Sequence, residues 1–361
     1  MWSVTPGARL FRFVCLVFTL IATVATAGAQ VSTFAGNAQH TNVYSTPATN
    51  INLIHWQKTI DYNPASFGHY GSPLVTLSST VIVPVKTATD GFQVNVYDAS
   101  GADKYTLPTD YILPSYSWVP VYQPVVTTGS FGTRLYYAGA GGTIFHIDNP
   151  DAAVPGVPVR ECFYTDLVTY TTNASSYNST VFVNTPITAD GNGNIFFGFR
   201  VQGTAPAPLD TTQSGFARID PSGNATYVLA GNAAGDAAIE KTAHSSAPTL
   251  SNDEQTLYVY VRGASSDAYS YLLGLDATTL ATKYKTRLWD PRGGGNGARI
   301  IDQSTASVMV APDGDVYAPV FANPYNGSRG FLLHFNSDLT VTKTPGGFGW
   351  DFTPGVVPAS M

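Results

Sequence analysis

Cysteine is almost absent from this sequence. The chain has two cysteines among 361 residues, and Cys15 lies in an apolar run near the N-terminus. If that run is removed, Cys162 remains alone, so no intrachain disulfide can form and core packing must stabilise the fold. Cys162 stands between Glu161 and Phe163, a setting that favours a small buried side chain over a reactive thiol.

Charge is also scarce. Charged residues make up 12% of the chain, and the formal net charge is −6. An acidic chain lacks the basic footprint that nucleic acids need, and the same lack argues against electrostatic docking on anionic lipid. The apolar fraction of 44% is too high for intrinsic disorder. We therefore expect a folded protein whose surface is covered mainly by neutral polar groups.

The N-terminus has the three parts of a secretory signal peptide. Arg9 and Arg12 are basic, residues 13–24 are apolar, and small residues follow as Ala-Thr-Ala at 25–27 and Ala-Gly-Ala at 27–29. The apolar run is shorter than the ~20 residues that cross a bilayer, although an uncleaved anchor is the alternative. Removal of residues 1–29 takes the net charge from −6 to −8. We expect a secreted or periplasmic protein with no membrane insertion after cleavage.

Glycine (34), proline (24) and tyrosine (21) are abundant, which is typical of short strands joined by tight turns. No stretch has a helical period over three turns, and residues 233–243 are the best candidate for a short helix. One unit recurs five times, and its opening prolines are Pro73, Pro124, Pro186 and Pro248, with no proline in the fifth unit. The prolines are 51, 62 and 62 residues apart, so the sequence is a repeat protein.

Each unit contains four predicted strands. They cover 72–75, 80–85, 92–98 and 104–107; 123–126, 134–138, 143–148 and 161–164; 185–187, 194–199, 215–220 and 225–229; 247–250, 256–261, 270–276 and 282–288; and 306–310, 315–320, 330–336 and 339–343. Four strands in roughly 40–50 residues is the spacing of a propeller blade. We predict an all-β fold, a β-propeller of four-stranded antiparallel blades, with a leader segment at 30–60 and the blade repeats at 61–361.

The repeats resemble those of quinoprotein-like (PQQ-type) β-propellers over about residues 34 to 345. Residues 35–41, Ala-Gly-Asn-Ala-Gln-His-Thr, followed by Trp56 and Gln57, are similar to the segment before the first blade in that superfamily. Its PQQ dehydrogenases hold the quinone with an adjacent-cysteine disulfide, a tryptophan floor and a calcium site. Here one mature cysteine remains, and Trp56, Trp118, Trp289 and Trp350 occupy different places in their units. The resemblance therefore implies the propeller scaffold without PQQ dehydrogenase activity.

Residues 348–351, Phe-Gly-Trp-Asp, are similar to the approach to a further blade. An open propeller would expose a sheet edge and an apolar blade face. We expect an incomplete propeller of six to eight blades that is truncated at the C-terminus; closure of the ring by residues 31–60 is the alternative.

The propeller geometry predicts one candidate site. The first strand of each blade lines the central channel, so the loops that enter these strands meet at one channel mouth. These loops contribute His69, Tyr70, Tyr122, Gln123, Asn184, His244, Ser245, Asp302 and Gln303. Three interpretations are open: the side chains satisfy loop backbone groups and channel water, they bind a polar ligand such as a glycan, or His69, His244 and Asp302 bind a metal.

Other motifs indicate structure more than chemistry. Asp190, Asn192 and Asn194 alternate like the first ligands of a calcium loop, but the glutamate of the twelfth position is missing. We predict a hairpin turn there, with calcium binding as the alternative. His146 and His334 occupy matching places in their units, which favours a role in blade packing. Metalloprotease, C-x-x-C, nucleophile-elbow and Walker A motifs are all missing from the sequence.

Three functional hypotheses follow. The first is an exported, monomeric, non-catalytic propeller that binds an extracellular protein or polysaccharide without a cofactor. The second is an extracellular carbohydrate-active enzyme, a lyase or a glycosidase; a glycosidase needs two facing carboxylates, and Asp302 is the only acid among the channel-mouth candidates. The third is a quinone- or metal-dependent oxidoreductase, which the missing cofactor residues disfavour.

Overall fold

A computed structural model of the chain describes residues 31–44, 52–60, 71–86, 91–112, 121–265, 269–301, 306–327 and 329–357. The predicted signal peptide at 1–29 lies outside these ranges. The described part is nearly all β and contains five antiparallel sheets, which we call blades 1 to 5. Within it, no helix has the length and apolar character that a bilayer crossing requires.

The strands follow one another in chain order. Blade 1 contains β1 (Leu74–Val75), β2 (Val81–Lys86), β3 (Phe92–Tyr97) and β4 (Asp103–Thr109). Blade 2 contains β5 (Val125–Gly129), β6 (Gly132–Ala138), β7 (Ile144–Asp148) and β8 (Val159–Glu161). Blade 3 contains β9 (Val181–Val183), β10 (Thr188–Ala189), β11 (Ile195–Val201), β12 (Gly215–Ile219) and β13 (Ala225–Leu229). Blade 4 contains β14 (Ile239–Thr242), β15 (Thr249–Leu250), β16 (Thr256–Gly263), β17 (Ser270–Asp276) and β18 (Thr282–Arg287). Blade 5 contains β19 (Met309–Val310), β20 (Val316–Phe321), β21 (Gly330–Phe335) and β22 (Thr342–Phe348).

The strands of each blade follow the predicted antiparallel order, and the first strand lies at the sheet edge that residues 31–42 contact, which we call the inner edge. The innermost strand of blades 3 and 4 is interrupted, so that β9 and β10 pair with the two ends of β11, and β14 and β15 pair with the two ends of β16. The predicted strand at 185–187 is therefore wrong, because these residues form the interruption. β9 and β14 were not predicted.

Further local differences have physical causes. The last strands of blades 2 and 5 lie at 159–161 and 342–348 instead of 161–164 and 339–343. Residues 336–341 turn the chain, with the Asn336 side-chain oxygen accepting from the Val341 amide at 2.9 Å. The helix expected at 233–243 is only α3 (Ala230–Ala234), because residues 239–242 pair with β16 instead. Two short helices were missed, α1 (Leu167–Thr172) and α2 (Ala174–Thr180); both are rich in Ser and Thr and lack an apolar stripe.

The ends of the blades differ. The turns between the first and second strands, and between the third and fourth, lie at one end of each sheet, which we call the turn end. The loops between the second and third strands, and the connections between blades, lie at the other end, which we call the connection end. Side chains tie successive blades together: Thr109 Oγ1 donates to the Ala138 carbonyl at 2.7 Å, and Thr249 Oγ1 donates to the Val308 carbonyl at 2.9 Å.

Aromatic and aliphatic side chains fill the space between neighbouring blades. The two histidines expected to pack within blades do so. His146 lies opposite Tyr136 in blade 2, and His334 lies opposite Tyr317 in blade 5, with ring centroids 5.5 and 4.3 Å apart. Each histidine also contacts a carboxylate, that of Glu161 at 3.3 Å or that of Asp315 at 2.6 Å.

Residues 31–42, which we call the axial segment, run past the inner strands of all five blades. Five of their carbonyl groups accept hydrogen bonds from backbone amides in chain order. The pairs are Val31 with Val75, Ser32 with Val126, Ala38 with Leu250, Gln39 with Val310, and Thr41 with Val356. The Thr33 hydroxyl adds a bond to the Ile187 carbonyl of blade 3 at 3.2 Å. Because inner strands end in unpaired backbone groups, the axial segment supplies the acceptors they need.

Candidate functional site

Five of the nine channel-mouth candidates lie within the described part of the chain: Tyr122, Gln123, Asn184, His244 and Ser245. His69, Tyr70, Asp302 and Gln303 lie outside the described residues. The metal site proposed for His69, His244 and Asp302 therefore has one described member. Within the described ranges, no three His, Cys, Asp or Glu side chains come together in a metal-binding arrangement.

Gln123 joins blade 2 to blade 1. It is 3% exposed. Its amide oxygen accepts from the Ser72 amide, and its Nε2 donates to the Ser72 carbonyl at 3.1 Å and to the Pro124 carbonyl at 3.0 Å. The side chain thus satisfies three backbone groups at the entry to two inner strands.

Asn184 and Ser245 join blades 2, 3 and 4. Asn184 Nδ2 lies 3.1 Å from Thr242 Oγ1, and its backbone carbonyl accepts from the Ser245 amide at 2.8 Å. The Ser245 hydroxyl accepts from the Val121 amide at 3.4 Å. Both residues belong to the interruptions of inner strands, whose freed backbone groups they help to satisfy.

The two aromatic candidates are buried. Tyr122 packs against Phe92 and Tyr111, with ring centroids 4.9 and 5.3 Å away, and burial raises the pKa of its hydroxyl well above the usual value. The His244 ring lies edge-on to Phe182 at 6.2 Å. The structure therefore brings the described candidates together mainly as contacts between blades; ligand binding by them stays a prediction.

A histidine that the sequence analysis did not single out is fully buried at the axis. His40 Nδ1 lies 3.0 Å from both the Val308 carbonyl and the Thr249 hydroxyl. Nε2 has no hydrogen-bond partner among the described residues. Desolvation by burial lowers the pKa of this imidazole to about 4, although the Val308 contact opposes the shift. His40 is therefore neutral at pH 7.

The turn at 190–194 has the predicted hairpin form between β10 and β11. The Asp190 carboxylate accepts from the amides of Asn192 and Asn194 and from Asn194 Nδ2, at 2.9, 2.8 and 2.6 Å. Asn194 Oδ1 in turn accepts from the Arg218 guanidinium at 2.6 Å. These oxygens serve the turn itself; calcium binding there stays an untested alternative.

A cavity of about 300 Å³ opens between the axial segment and the turn ends of blades 2 to 4. Hydroxyl, amide and carboxylate side chains line it, including those of Asn37, Thr127 and Glu254. Its carboxylates are already engaged, since Glu254 accepts from the Gly191 amide at 2.8 Å and Asp190 holds its own turn.

A different surface lies at the connection end of blade 4. We call it the rim cluster: Tyr269, Tyr271, Arg287 and Trp289. Tyr271 lies opposite Arg287 across the β17–β18 pair, and two-residue alternation places Tyr269 and Trp289 on the same face. The Arg287 Cζ is 4.6 Å from the centroid of the Tyr269 ring and 4.2 Å from that of Trp289. Trp289 is 47% exposed, so an aromatic ring held by a cation faces solvent.

Hydrogen bonds hold the rim cluster in place. Both tyrosine hydroxyls donate to the Asp236 carboxylate, Tyr269 at 2.7 Å and Tyr271 at 3.2 Å. The hydrogen bond from the Tyr269 hydroxyl and, to a smaller extent, the one from the Ala238 amide lower the pKa of this carboxyl. Asp236 is therefore ionised at neutral pH. Rings that are already fixed lose little conformational entropy when a ligand binds.

The loop beside the rim cluster is rigidly attached but has a bare tip. The Asp290 carboxylate accepts from Arg292 Nε and Nη2 at 2.9 and 2.8 Å, and from the Asn323 amide of blade 5 at 2.7 Å. The tip is glycine at 293–295, with φ of 86°, 82° and 73°, a conformation that favours glycine. No side chain therefore projects from the tip beside Trp289.

The residues of the rim cluster have a sequence signal that was not used above: the alternating Tyr-x-Tyr and Arg-x-Trp patterns at 269–271 and 287–289.

Comparisons with known proteins place the fold. No protein-family model matches the sequence, and no curated protein matches it significantly. A europium-containing methanol dehydrogenase superposes with a TM-score of 0.58 at 10% identity, over 90% of this chain and 59% of that one. The Dos1 propeller and the quinohemoprotein alcohol dehydrogenase of Comamonas testosteroni are similar at 11% identity, with TM-scores of 0.48 and 0.46, over 78% and 81% of this chain and 62% and 57% of theirs.

This chain thus spans about three fifths of the length of those solved structures. At such identities the likeness concerns the fold alone. Together with the five blades, it shows that the chain has the β-propeller fold that its repeats predicted.

Proposed function

We propose that this protein is an exported, monomeric, non-catalytic β-propeller that binds a polysaccharide partner. The rim cluster carries the proposal: an exposed tryptophan ring, fixed by a cation and flanked by two anchored tyrosines, provides a flat apolar face with polar edges. Sugar rings offer a complementary surface, since their C–H faces pack on aromatic rings and their hydroxyls need hydrogen-bonding edges.

Export is part of the proposal and is supported by the signal-peptide pattern at 1–29. N-terminal sequencing of the protein recovered from its native host tests it. We expect the mature chain to begin at Gly28 or Gln30, immediately after one of the two small-residue motifs. A mature protein that retains Arg9 and Arg12 would contradict export by cleavage.

We further propose that binding needs no quinone or metal cofactor. A quinone on the axis would need free hydrogen-bonding groups at the channel mouth. Gln123, Asn184 and Ser245 instead use their polar atoms to bridge blades, so they do not fit that group. Thermal unfolding with added PQQ and calcium tests this; a melting temperature that rises with ligand concentration would overturn it.

The binding proposal is tested by screening the full mature protein against an array of neutral and acidic glycans. We expect binding that falls at least tenfold in Trp289→Ala, since loss of one stacked ring removes roughly 1–3 kcal/mol. Phe352→Ala is the matched control, because Phe352 is a 65% exposed aromatic residue outside the rim cluster. Equal loss in the control, or no binding at all, would refute the proposal.

Turnover separates the proposal from its alternative. Bound glycan is incubated with the protein, and new reducing ends or unsaturated products are measured. We expect none. Product formation would instead support a carbohydrate-active enzyme.

A further inference from the structure

We infer that the rim cluster recognises an acidic polysaccharide, with Arg287 binding the carboxylate of a uronic acid whose ring lies near Trp289. This inference rests on the proposed glycan-binding function and names the ligand class. The juxtaposition of one unsatisfied guanidinium with an exposed indole carries it.

Among the described residues, the guanidinium of Arg287 has no carboxylate within ion-pair distance. Its contacts are the Tyr269 and Trp289 rings, which supply no oxygen acceptor. Its Nε is buried and has no hydrogen-bond partner among the described residues. Because Nε is buried, the donors that Arg287 offers to a ligand are the N–H groups of its two Nη atoms, which form the planar fork of the guanidinium.

The neighbouring cations are occupied, which singles out Arg287. Arg292 forms a bidentate pair with Asp290. Lys285 donates to the Ala234 carbonyl at 2.8 Å, with its Nζ 5.1 Å from the Tyr271 ring centroid. The carboxylate of Asp236 is shared by two tyrosine hydroxyls. Among the described cations beside the rim cluster, Lys285 and Arg292 have hydrogen-bond partners, whereas no hydrogen bond of the Arg287 side chain to a described residue is found.

The local charge favours an anion. Beside the rim cluster, Lys285 and Arg287 are cationic and Asp236 is anionic, although the whole chain has a net charge of −6. The nearby Asp290 carboxylate is paired with Arg292. A cationic surface on an acidic protein attracts anionic ligands from solution and orients them.

The chemistry of the donor favours a carboxylate on a sugar. A planar guanidinium matches a carboxylate with two parallel hydrogen bonds, and the exposed part of the Trp289 indole can contact the sugar ring. A carboxylate that is not attached to a sugar ring would bind Arg287 but would make no contact with the Trp289 indole. The shared requirement is therefore an anionic oxygen group attached to a pyranose.

The decisive ligand pair is oligogalacturonate and its fully methyl-esterified form, which has the same rings without the charge. In calorimetric titrations of the full mature protein, we expect the acid form to bind at least tenfold more tightly. We expect Arg287→Met to abolish this preference, so that the acid and the ester bind with similar affinity, and near-ultraviolet circular dichroism checks that the variant is folded. Arg287→Lys should recover part of the preference, since it restores charge without the planar fork.

Lys283→Met is the matched control, since Lys283 lies on the same strand at the turn end of blade 4. We expect this variant to keep the preference for the acid form. Poly-glutamate and dextran sulfate test the source of the anion. If either binds as tightly as oligogalacturonate, bare charge alone is recognised and the uronate assignment is overturned.

The two proposals fail differently. If neither the acid nor the ester binds, and the array is negative, glycan binding itself is refuted. If both forms bind equally, and Trp289→Ala weakens both, the protein binds glycans but the role of Arg287 is refuted.

Discussion

Single polar residues near the axis hold the propeller together. Gln123 satisfies backbone groups on two inner strands, and Asn184 and Ser245 connect three blades. A buried polar group without a partner costs about 1–3 kcal/mol, so each of these side chains removes such a cost where blades meet. The polar atoms of these side chains therefore serve to join the blades.

His40 predicts a dependence of stability on acid. Its folded pKa of about 4 lies below the ordinary value of 6.5, so the unfolded state binds more protons between these values. The full contribution to stability is present above pH ~6.5 and is lost as pH falls to ~4, by about 3 kcal/mol. Urea unfolding of the wild type at pH 7.5 and 5 should show the part of this loss that accrues above pH 5, about 2 kcal/mol.

The control is the same pair of measurements in His40→Asn, because asparagine tolerates the positive φ of 58° at this position. The variant will be less stable at both pH values, but we expect a smaller difference between them. An unchanged pH difference would show that His40 is not the titrating group.

The sequence located residues near the channel mouth but not their partners. Gln123 and Asn184 follow from the position of the X-Pro motifs, because those motifs mark the entry to each inner strand. Their contacts with Ser72 and Thr242 join positions 51 and 58 residues apart, which local patterns cannot reveal. The burial of His40 could not be predicted for the same reason. It depends on Thr249 and Val308, which lie 209 and 268 residues further along the chain.

At the scale of elements, alternation and turn chemistry predicted the second and third strands of each blade well. The inner strands were harder. β1, β10, β15 and β19 have only two residues each, and the interruptions in blades 3 and 4 have no signature beyond a proline. α1 and α2 escaped because their Ser- and Thr-rich sequences resemble loops, although Asp166 caps α1 by accepting from the Thr169 amide at 2.9 Å.

The turn between β3 and β4 gives an element-scale prediction. Gly101 has a φ of +81°, and a Cβ there would lie 2.5 Å from Cδ2 of Trp56. Gly101→Ala should therefore lower the free energy of unfolding by about 2–4 kcal/mol, from backbone strain and overpacking. It should also displace the Trp56 ring, which a change in tryptophan fluorescence reports.

Gly314→Ala separates the two costs. Gly314 has a φ of +88° but no heavy atom within 4 Å of an added Cβ. This variant should show the strain, about 1 kcal/mol, without the fluorescence change. Equal destabilisation by both substitutions would mean that Trp56 does not pack on the turn.

At the scale of the molecule, the axial segment is the common contact of the blades. Its carbonyls accept from Val75, Val126, Leu250, Val310 and Val356. The family resemblance indicated a leader before the first blade, but not that it would run along the inner strands. The pairing could not be predicted because each contact joins residues tens to hundreds of positions apart.

Deletion of residues 31–42 should therefore weaken the whole molecule. Five backbone amides lose their acceptors, at about 1 kcal/mol each, so we expect roughly 5 kcal/mol less stability in guanidinium unfolding. We also expect a broader transition, because the blades lose their shared partner. A sharp transition at the wild-type midpoint would refute this role.

The occupied axis also limits how the protein can recognise a partner. An extended peptide commonly joins a sheet by pairing with the free backbone of an edge strand. Here the inner-edge amides of Val75, Val126, Leu250 and Val310 are already bonded to the axial segment. We therefore expect an added strand to pair more readily with the outer edges of these blades. The same arrangement denies neighbouring copies a template for fibrous stacking at the centre.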